Sequence, residues 1–241
     1  MLWLMVHIPK TAGTSFRKAV REIFGESMLL DYSDKPLKVS RWKRNWRTWL
    51  QGRRSNALAL ADNACIFGHY MPLKYSRVVR TRECRLITWL RDPIERMVSH
   101  YHFIFEHHRL RKLAPGQSKV VDENWTMEQF MFSPTYRNFS CQFLWGVGLK
   151  KFDFVGLVEH YDADLFDFGM QFFDRELMAH REKQSPMRAP CPFLDDPQVR
   201  RMAERFHAGD MQLYRQALKM RAKRLLKTSH SLANPYTRAA A

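Results

Sequence analysis

Three groups of residues in this chain have types and spacings suited to chemistry. The first is Lys10, Thr11, Ala12, Gly13, Thr14 and Ser15, inside the stretch VHIPKTAGTSF. A lysine, a glycine and hydroxyl residues between a strand and a helix are the ingredients of an anion-binding loop. Free backbone N–H groups and the positive end of the helix dipole face the anion. The order differs from the nucleoside-triphosphate loop G-x-x-x-x-G-K-[ST], in which lysine follows the second glycine. The second group is His69, directly after Gly68. An imidazole titrating near neutrality is suited to taking the proton of a hydroxyl during attack. The third is Arg91 and Ser99 in LRDPIERMVSHYHF, a guanidinium and a hydroxyl that a strand end and the following helix would bring to one phosphate. Arg96, one turn into that helix, reads equally as a solvated or sheet-capping arginine and as a ligand contact. A histidine by itself is more often structural, and His7, His100, His102, His107 and His108 receive that reading.

The elements that must position these residues follow from the apolar pattern. Leu2 to Ile8 is a short apolar run, as expected of a buried parallel strand. Phe16, Ala19, Val20, Ile23 and Phe24 then recur on one helical face, and Gly25 ends the helix. Residues 64–70, 84–93 and 152–159 read as three further strands. Asp92-Pro93-Ile94-Glu95 is a strong helix start, with Asp92 as N-cap and Glu95 as its box partner. Residues 109–124 read as a polar surface loop, a helix is expected from about 161 to 180, and 183–197 is proline-rich and irregular. A long C-terminal helix follows Val199, bent near Gly209, with a basic tail expected to fray beyond 220. Strands alternating with helices predict an α/β fold, three layers around a central parallel sheet, in a single domain over 1–241. Lys10, His69 and Arg91 all fall at strand carboxyl ends, where such sheets bind ligands.

Composition sets the partners. The 241 residues carry 40 Lys+Arg against 24 Asp+Glu, a formal charge of +16, which attracts nucleic acid, anionic lipid, acidic glycan or a multiply charged nucleotide without choosing among them. The basic stretch 41–54, RWKRNWRTWLQGRR, has Trp42, Trp46, Trp49 and Leu50 at helical spacing. It is expected to dock on the domain through its tryptophans; the alternative is a surface that grips an acidic polymer or a membrane. Cys65, Cys84, Cys141 and Cys191 have neither zinc nor redox-pair spacing and are read as reduced. No stretch approaches the ~20 apolar residues of a membrane span. A cytoplasmic, bacterial enzyme is expected, or a Golgi luminal domain if an N-terminal anchor has been removed.

HIPKTAGTSF resembles the 5′-phosphosulfate loop of sulfotransferases that use 3′-phosphoadenosine 5′-phosphosulfate (PAPS). LRDPIERMVSHYHF resembles their 3′-phosphate-binding strand and helix. The pattern is nearest that of carbohydrate sulfotransferases of the heparan sulfate 2-O- and uronyl 2-O- type and their bacterial counterparts, with Gly68-His69-Tyr70 similar to the segment carrying their base. FDFVGLVEHYDADL and DMQLYRQAL are similar to the later, weaker blocks. The resemblance implies a P-loop-like fold and PAPS held by residues 10–15 with Arg91 and Ser99. It implies Lys10 at the oxygen bridging phosphorus and sulfur, His69 as general base, and a hydroxyl-bearing glycan or glycolipid as acceptor. Neither metal nor nucleic acid is implied, since a sulfuryl group carries less charge than a γ-phosphate. Arg181, Lys183, Ser185 and Arg188 fall where relatives close a loop over the nucleotide, and read equally as a solvated basic loop. Two rivals stand beside this reading. One is a P-loop kinase or nucleotidase, against which the loop order argues. The other is an inactive basic module binding glycan or nucleic acid, against which the joint presence of lysine, base and arginine argues.

Overall fold

The computed structural model describes residues 1–34, 39–55, 60, 62–108, 115–179 and 191–233. In chain order the elements are β1 (Leu2–Val6), α1 (Gly13–Phe24), β2 (Met28–Asp31), α2 (Arg41–Arg54), β3 (Cys65–Gly68), α3 (Ser76–Thr81), β4 (Cys84–Leu90) and α4 (Pro93–His107). They continue as α5 (Pro115–Asp122), α6 (Met127–Met131), α7 (Phe139–Phe143), β5 (Phe154–Leu157), α8 (Tyr161–Phe173), α9 (Pro197–Phe206) and α10 (Ala208–Ala233).

The five strands form a parallel sheet in the order β2-β3-β1-β4-β5, with helices on both faces. Side chains alternate across the central strand, as period two requires. Leu2, Leu4 and Val6 enter one core with Ile94, Met97 and Ile104 of α4 and Met211 and Ala217 of α10. Trp3 and Met5 enter the opposite core with Phe16, Ala19 and Val20 of α1 and Leu165 and Phe168 of α8. Because β1 lies between β3 and β4, the chain reverses its direction of travel across the sheet around β1. The crevice that such a reversal opens lies at the carboxyl ends of these three strands.

Several elements depart from the sequence pattern. Strand β2 was not expected; it is four residues long and Leu29 and Leu30 are exposed on the sheet edge, so it carries no buried run to announce it. Helix α5 stands in what reads as a surface loop, because Val120 is fully buried against the core. Helix α8 stops at Phe173 rather than near 180, because Asp174 takes a left-handed conformation with φ 49°. The C-terminal helix breaks at His207 rather than bending at Gly209. The His207 ring leaves its own helix to bond the Met131 carbonyl at 2.9 Å and the Asn138 N–H at 3.3 Å. Helix α10 continues beyond 220 to Ala233, and the rest of the expected tail lies outside the described residues. Arg221 and Arg224 donate to the fully buried Asp164 at 2.7 and 2.8 Å, and Asp164 also accepts the Leu157 N–H at 2.8 Å. That carboxylate is buried with all its charge answered, the condition under which a buried ion persists.

The tryptophans of α2 do not dock the helix, contrary to the sequence expectation. Its buried residues are Arg44, Thr48 and Gly52, spaced one turn apart. Arg44 donates to the Gln142 side chain at 3.1 Å, and the Thr48 hydroxyl lies 3.3 Å from the Met71 sulfur. A Cβ on Gly52 would stand 2.3 Å from the Leu73 carbonyl oxygen, so only glycine lets the helix approach so closely. Close approach and hydrogen bonding chose the docked face here, and a bulky indole could not provide the close approach. Among the described residues no helix is long and apolar enough to cross a membrane.

Candidate functional site

The loop between β1 and α1 is built on two left-handed residues that are not glycine, Lys10 at φ 73° and Ala12 at φ 58°. Such residues store strain and persist only where the surroundings hold them. The Thr11 hydroxyl, buried, donates to the Ile8 carbonyl at 2.8 Å and pins the turn. Ala12 is the N-cap of α1 and no side chain caps the helix. The first-turn N–H groups of Gly13, Thr14 and Ser15 therefore have no intrahelical acceptor and stand at the positive end of the dipole. Thr14 is exposed and Ser15 half-buried at the same turn.

Gly13 is buried for a reason the sequence did not disclose. A Cβ there would lie 1.8 Å from His7 Nε2 and 1.9 Å from His7 Cε1. The His7 ring occupies the space of the missing side chain. Its position follows from strand register: Val6 pairs with Gly68 in the parallel ladder, and the His7 N–H donates to the Gly68 carbonyl at 2.8 Å. The residues one step beyond, His7 and His69, therefore meet. His69 Nε2 lies 3.0 Å from His7 Nδ1. Tyr32 and Phe143 pack edge-on to the His69 ring, at centroid distances of 4.8 and 6.3 Å. His7 Nε2 is buried with no hydrogen-bond partner among the described residues.

Burial governs both imidazoles. It pushes His69 down to about 4. It pushes His7 well below the usual imidazole range, helped by the nearby charges of His69, Arg17 and Lys10. Both rings are neutral at pH 7, and His69 titrates below the neutral value expected of it as a sequence element.

On the other side of β1, Asp92 caps α4 through its carboxylate, which accepts from the Ile94 and Glu95 N–H groups at 3.0 Å each. The reciprocal bond to the cap's own N–H, expected from Glu95, comes instead from Glu159 at 2.8 Å, which also accepts from the Tyr214 hydroxyl at 3.0 Å. Arg91 thus sits at the end of β4 just before a well-fixed helix start. Ser99 and Phe103 are four residues apart on α4 and share a face. The Lys10 ammonium lies 4.3 Å from the centroid of the Phe103 ring. Helix periodicity and this contact together bring the Lys10 loop to the face of α4 that carries Ser99.

Arg96 is not solvated. It is fully buried with its guanidinium 4.4 Å from the Phe139 ring centroid, and its Nε and Nη1 have no hydrogen-bond partner among the described residues. Burial lowers its pKa to about 10, with Asp210 opposing and Arg91 adding to the fall. A buried cation with orphaned donors is costly unless an anion answers it. The structure places Lys10, the first turn of α1, His69 and Arg91 after adjacent strand ends, with Ser99 and the buried Arg96 on α4, and adds His7, Tyr32 and Phe103. Sequence reasoning gives His7 a structural role inside the apolar run Leu2–Ile8; the available signal is that VHIPK and FGHY each carry a histidine where an apolar run gives out. Arg181, Lys183, Ser185 and Arg188 lie outside the described residues.

No protein-family model matches the chain, and no curated protein matches it. Among solved structures it is similar to mouse sulfotransferase SULT7A1 complexed with PAP, at 13% identity and a TM-score of 0.40 over 70% of this chain and 56% of the mouse one. It is also similar to a sulfotransferase from Alicyclobacillus acidocaldarius, at 12% identity and a TM-score of 0.46 over 88% of this chain and 92% of that one. The chain thus spans just over half the length of the mouse protein. At these identities neither likeness assigns a reaction to this chain.

Proposed function

We propose that this chain is a single-domain sulfotransferase that moves a sulfuryl group from PAPS to a hydroxyl of a glycan or glycolipid. What carries the reading is the convergence of three unlike groups at the ends of β3, β1 and β4: a candidate base, a lysine-bearing anion loop and an arginine–serine pair. The residues present fit a ligand with two separate anionic ends. The uncapped first turn of α1 and Lys10 suit the 5′ end, and Arg91 with Ser99 suits the 3′-phosphate. The orphaned donors of buried Arg96, electrostatically coupled to Arg91, add positive potential on the same side.

Bound PAPS would supply an activated sulfuryl group; the remaining work falls to residues of this chain. Lys10 and the loop N–H groups neutralise charge that grows on the leaving oxygen. His69 accepts the proton of the attacking hydroxyl. Its Nε2 is engaged with His7, so the free acceptor is Nδ1. For Nδ1 to carry the lone pair, Nε2 must hold the ring proton and donate it to His7 Nδ1. His7 is then the positioning residue that fixes the tautomer, with its own proton on Nε2 against Gly13. Phe143 and Tyr32 hold the plane of the base.

Titration calorimetry with adenosine 3′,5′-bisphosphate (PAP) and AMP tests the reading. PAP should bind far more tightly. Arg91→Ala should cost ~2–4 kcal/mol of PAP affinity and leave AMP nearly unchanged, as for truncation of a desolvated charged hydrogen bond. Equal affinity of the wild type for the two nucleotides would overturn the two-ended site.

A further inference from the structure

Helix α2 turns outward the face that its sequence makes richest in aromatic carbon. Trp42, Trp46 and Trp49 are 73, 52 and 36% exposed. They form one row: Trp42 and Trp46 are stacked at 6.3 Å with planes 4° apart, and Trp46 and Trp49 at 5.1 Å with planes 24° apart. The Arg53 guanidinium lies over the Trp49 ring, 4.5 Å from its centroid. Lys43, Arg47, Arg53 and Arg54 are exposed around the row, and the helix contains no Asp or Glu. The basic surface continues onto α3, where Arg77 and Arg80 are exposed beside Val79. A groove of about 510 Å³ runs beside the row, lined by Trp46, Arg47, Leu50 and Arg54 together with Lys74 and Tyr75.

The ring geometry selects the partner. A sugar or a nucleobase binds tryptophan by stacking on an open ring face. Trp46 stacks with two indoles, Trp42 and Trp49, and Trp49 stacks with Trp46 and carries the Arg53 guanidinium, so neighbours within the row already occupy ring surface. What the row offers is a line of indole edges. Edge-on indoles among long basic side chains are the pattern of an interfacial helix: the rings enter the boundary between headgroups and acyl chains, and Lys and Arg reach back to anionic headgroups. The net charge of +16 draws the molecule to such a surface.

We propose that the outer face of α2 is a membrane-docking surface, in which the Trp42–Trp46–Trp49 row inserts shallowly into a bilayer and Lys43, Arg47, Arg53 and Arg54 pair with anionic lipid. The inner face of the same helix touches Met71, two residues after His69, so docking holds a bilayer close to the segment that carries the candidate base. The proposal does not depend on the reaction the site performs.

The test is co-sedimentation of the full chain with vesicles of phosphatidylcholine alone and with about 30% phosphatidylglycerol. Binding should require the anionic lipid and weaken with salt. The triple variant Trp42→Ser, Trp46→Ser, Trp49→Ser should lose binding by about tenfold or more, and brominated lipid should quench the wild-type fluorescence more than that of the variant. A second variant, Lys43, Arg47, Arg53 and Arg54 each to Ser, should lose binding and most of its salt dependence. The four basic side chains are exposed, so their variant should melt with the wild type, while Trp49, only 36% exposed, makes a melting scan of the triple variant the check that it is folded when assayed. Undiminished vesicle binding by the triple variant would overturn the proposal. So would a concentration-dependent dimer that the tryptophan substitutions abolish, or tryptophan-dependent binding of heparin oligosaccharides without vesicle binding.

Discussion

Gly13→Ala offers the sharpest check on how the site is assembled. Gly13 opens α1 and does not have a positive φ, so alanine there is conformationally acceptable and, from helix propensity alone, would be neutral or stabilising by up to ~1 kcal/mol. The obstacle is the His7 ring. The new Cβ would stand 1.8 Å from Nε2, and an ordinary contact needs about 3.4 Å, so the ring must retreat by roughly 1.6 Å. It cannot do so without parting from His69, which holds it at 3.0 Å, and from Phe67, whose ring centroid lies 5.6 Å away. Overpacking of this kind costs ~1–3 kcal/mol and the broken hydrogen bond ~0.5–1.5 kcal/mol. Set against the propensity gain, a net loss of roughly 0.5–4.5 kcal/mol follows, centred on about 2. At the centre of that range, a chain of this size should melt roughly 4–8 °C lower. The assay is a double-mutant cycle by thermal melting with Gly13→Ala, His7→Ala and the pair. With the ring removed, the added methyl should cost nothing, giving a coupling of about 2 kcal/mol. A loss of the same size in the His7→Ala background would refute the assignment of Gly13 to the histidine and leave a backbone role for the glycine.

Three other outcomes follow from the same geometry. In the free protein, NMR titration should place His69 near 4 rather than near 6.5, and bound PAP should raise it, since a neighbouring anion favours the imidazolium; an ordinary value in the free protein would remove burial as the governing influence. Lys10→Ala should lower turnover by about 10²-fold or more with a smaller change in PAP affinity, because a preorganised charge acts most where charge develops; a loss confined to nucleotide affinity would exclude the leaving-group role. The burial of His7, His69 and His100 sets an acid dependence: each folded pKa lies below 6.5, so between 6.5 and those lower values the unfolded chain binds protons that the native chain does not. Stability should therefore fall as pH drops below 6.5, and melting temperatures measured from pH 7.5 to 5 that stay flat would contradict it.

The sequence by itself determined the parallel α/β architecture, four of the five strands, the loop joining β1 to α1 and the Asp92-capped start of α4. These are local matters: an apolar run, a capping residue or a helical repeat is written within a few consecutive residues. It also placed Lys10, His69 and Arg91 at strand ends, because the carboxyl end of a strand is visible where the apolar run stops. It did not determine which strand ends are neighbours. The register of β1 with β3 decided that His7 meets His69 and that Gly13 must lack a side chain. The edge strand β2 carried too little buried surface to be seen, yet the residue after it, Tyr32, packs against His69. The outward face of α2 was decided by a glycine's close approach and an arginine's hydrogen bond, against a tryptophan spacing that by itself indicated burial. Arg96 could be read as solvated until α4 was packed against α7, because a side chain's surroundings belong to the elements that cover it and not to its own segment. Propensity and periodicity act over a turn or a strand. Partnership, burial and the shift of a pKa are set by residues tens of positions away, and for those only the folded chain supplies the neighbours.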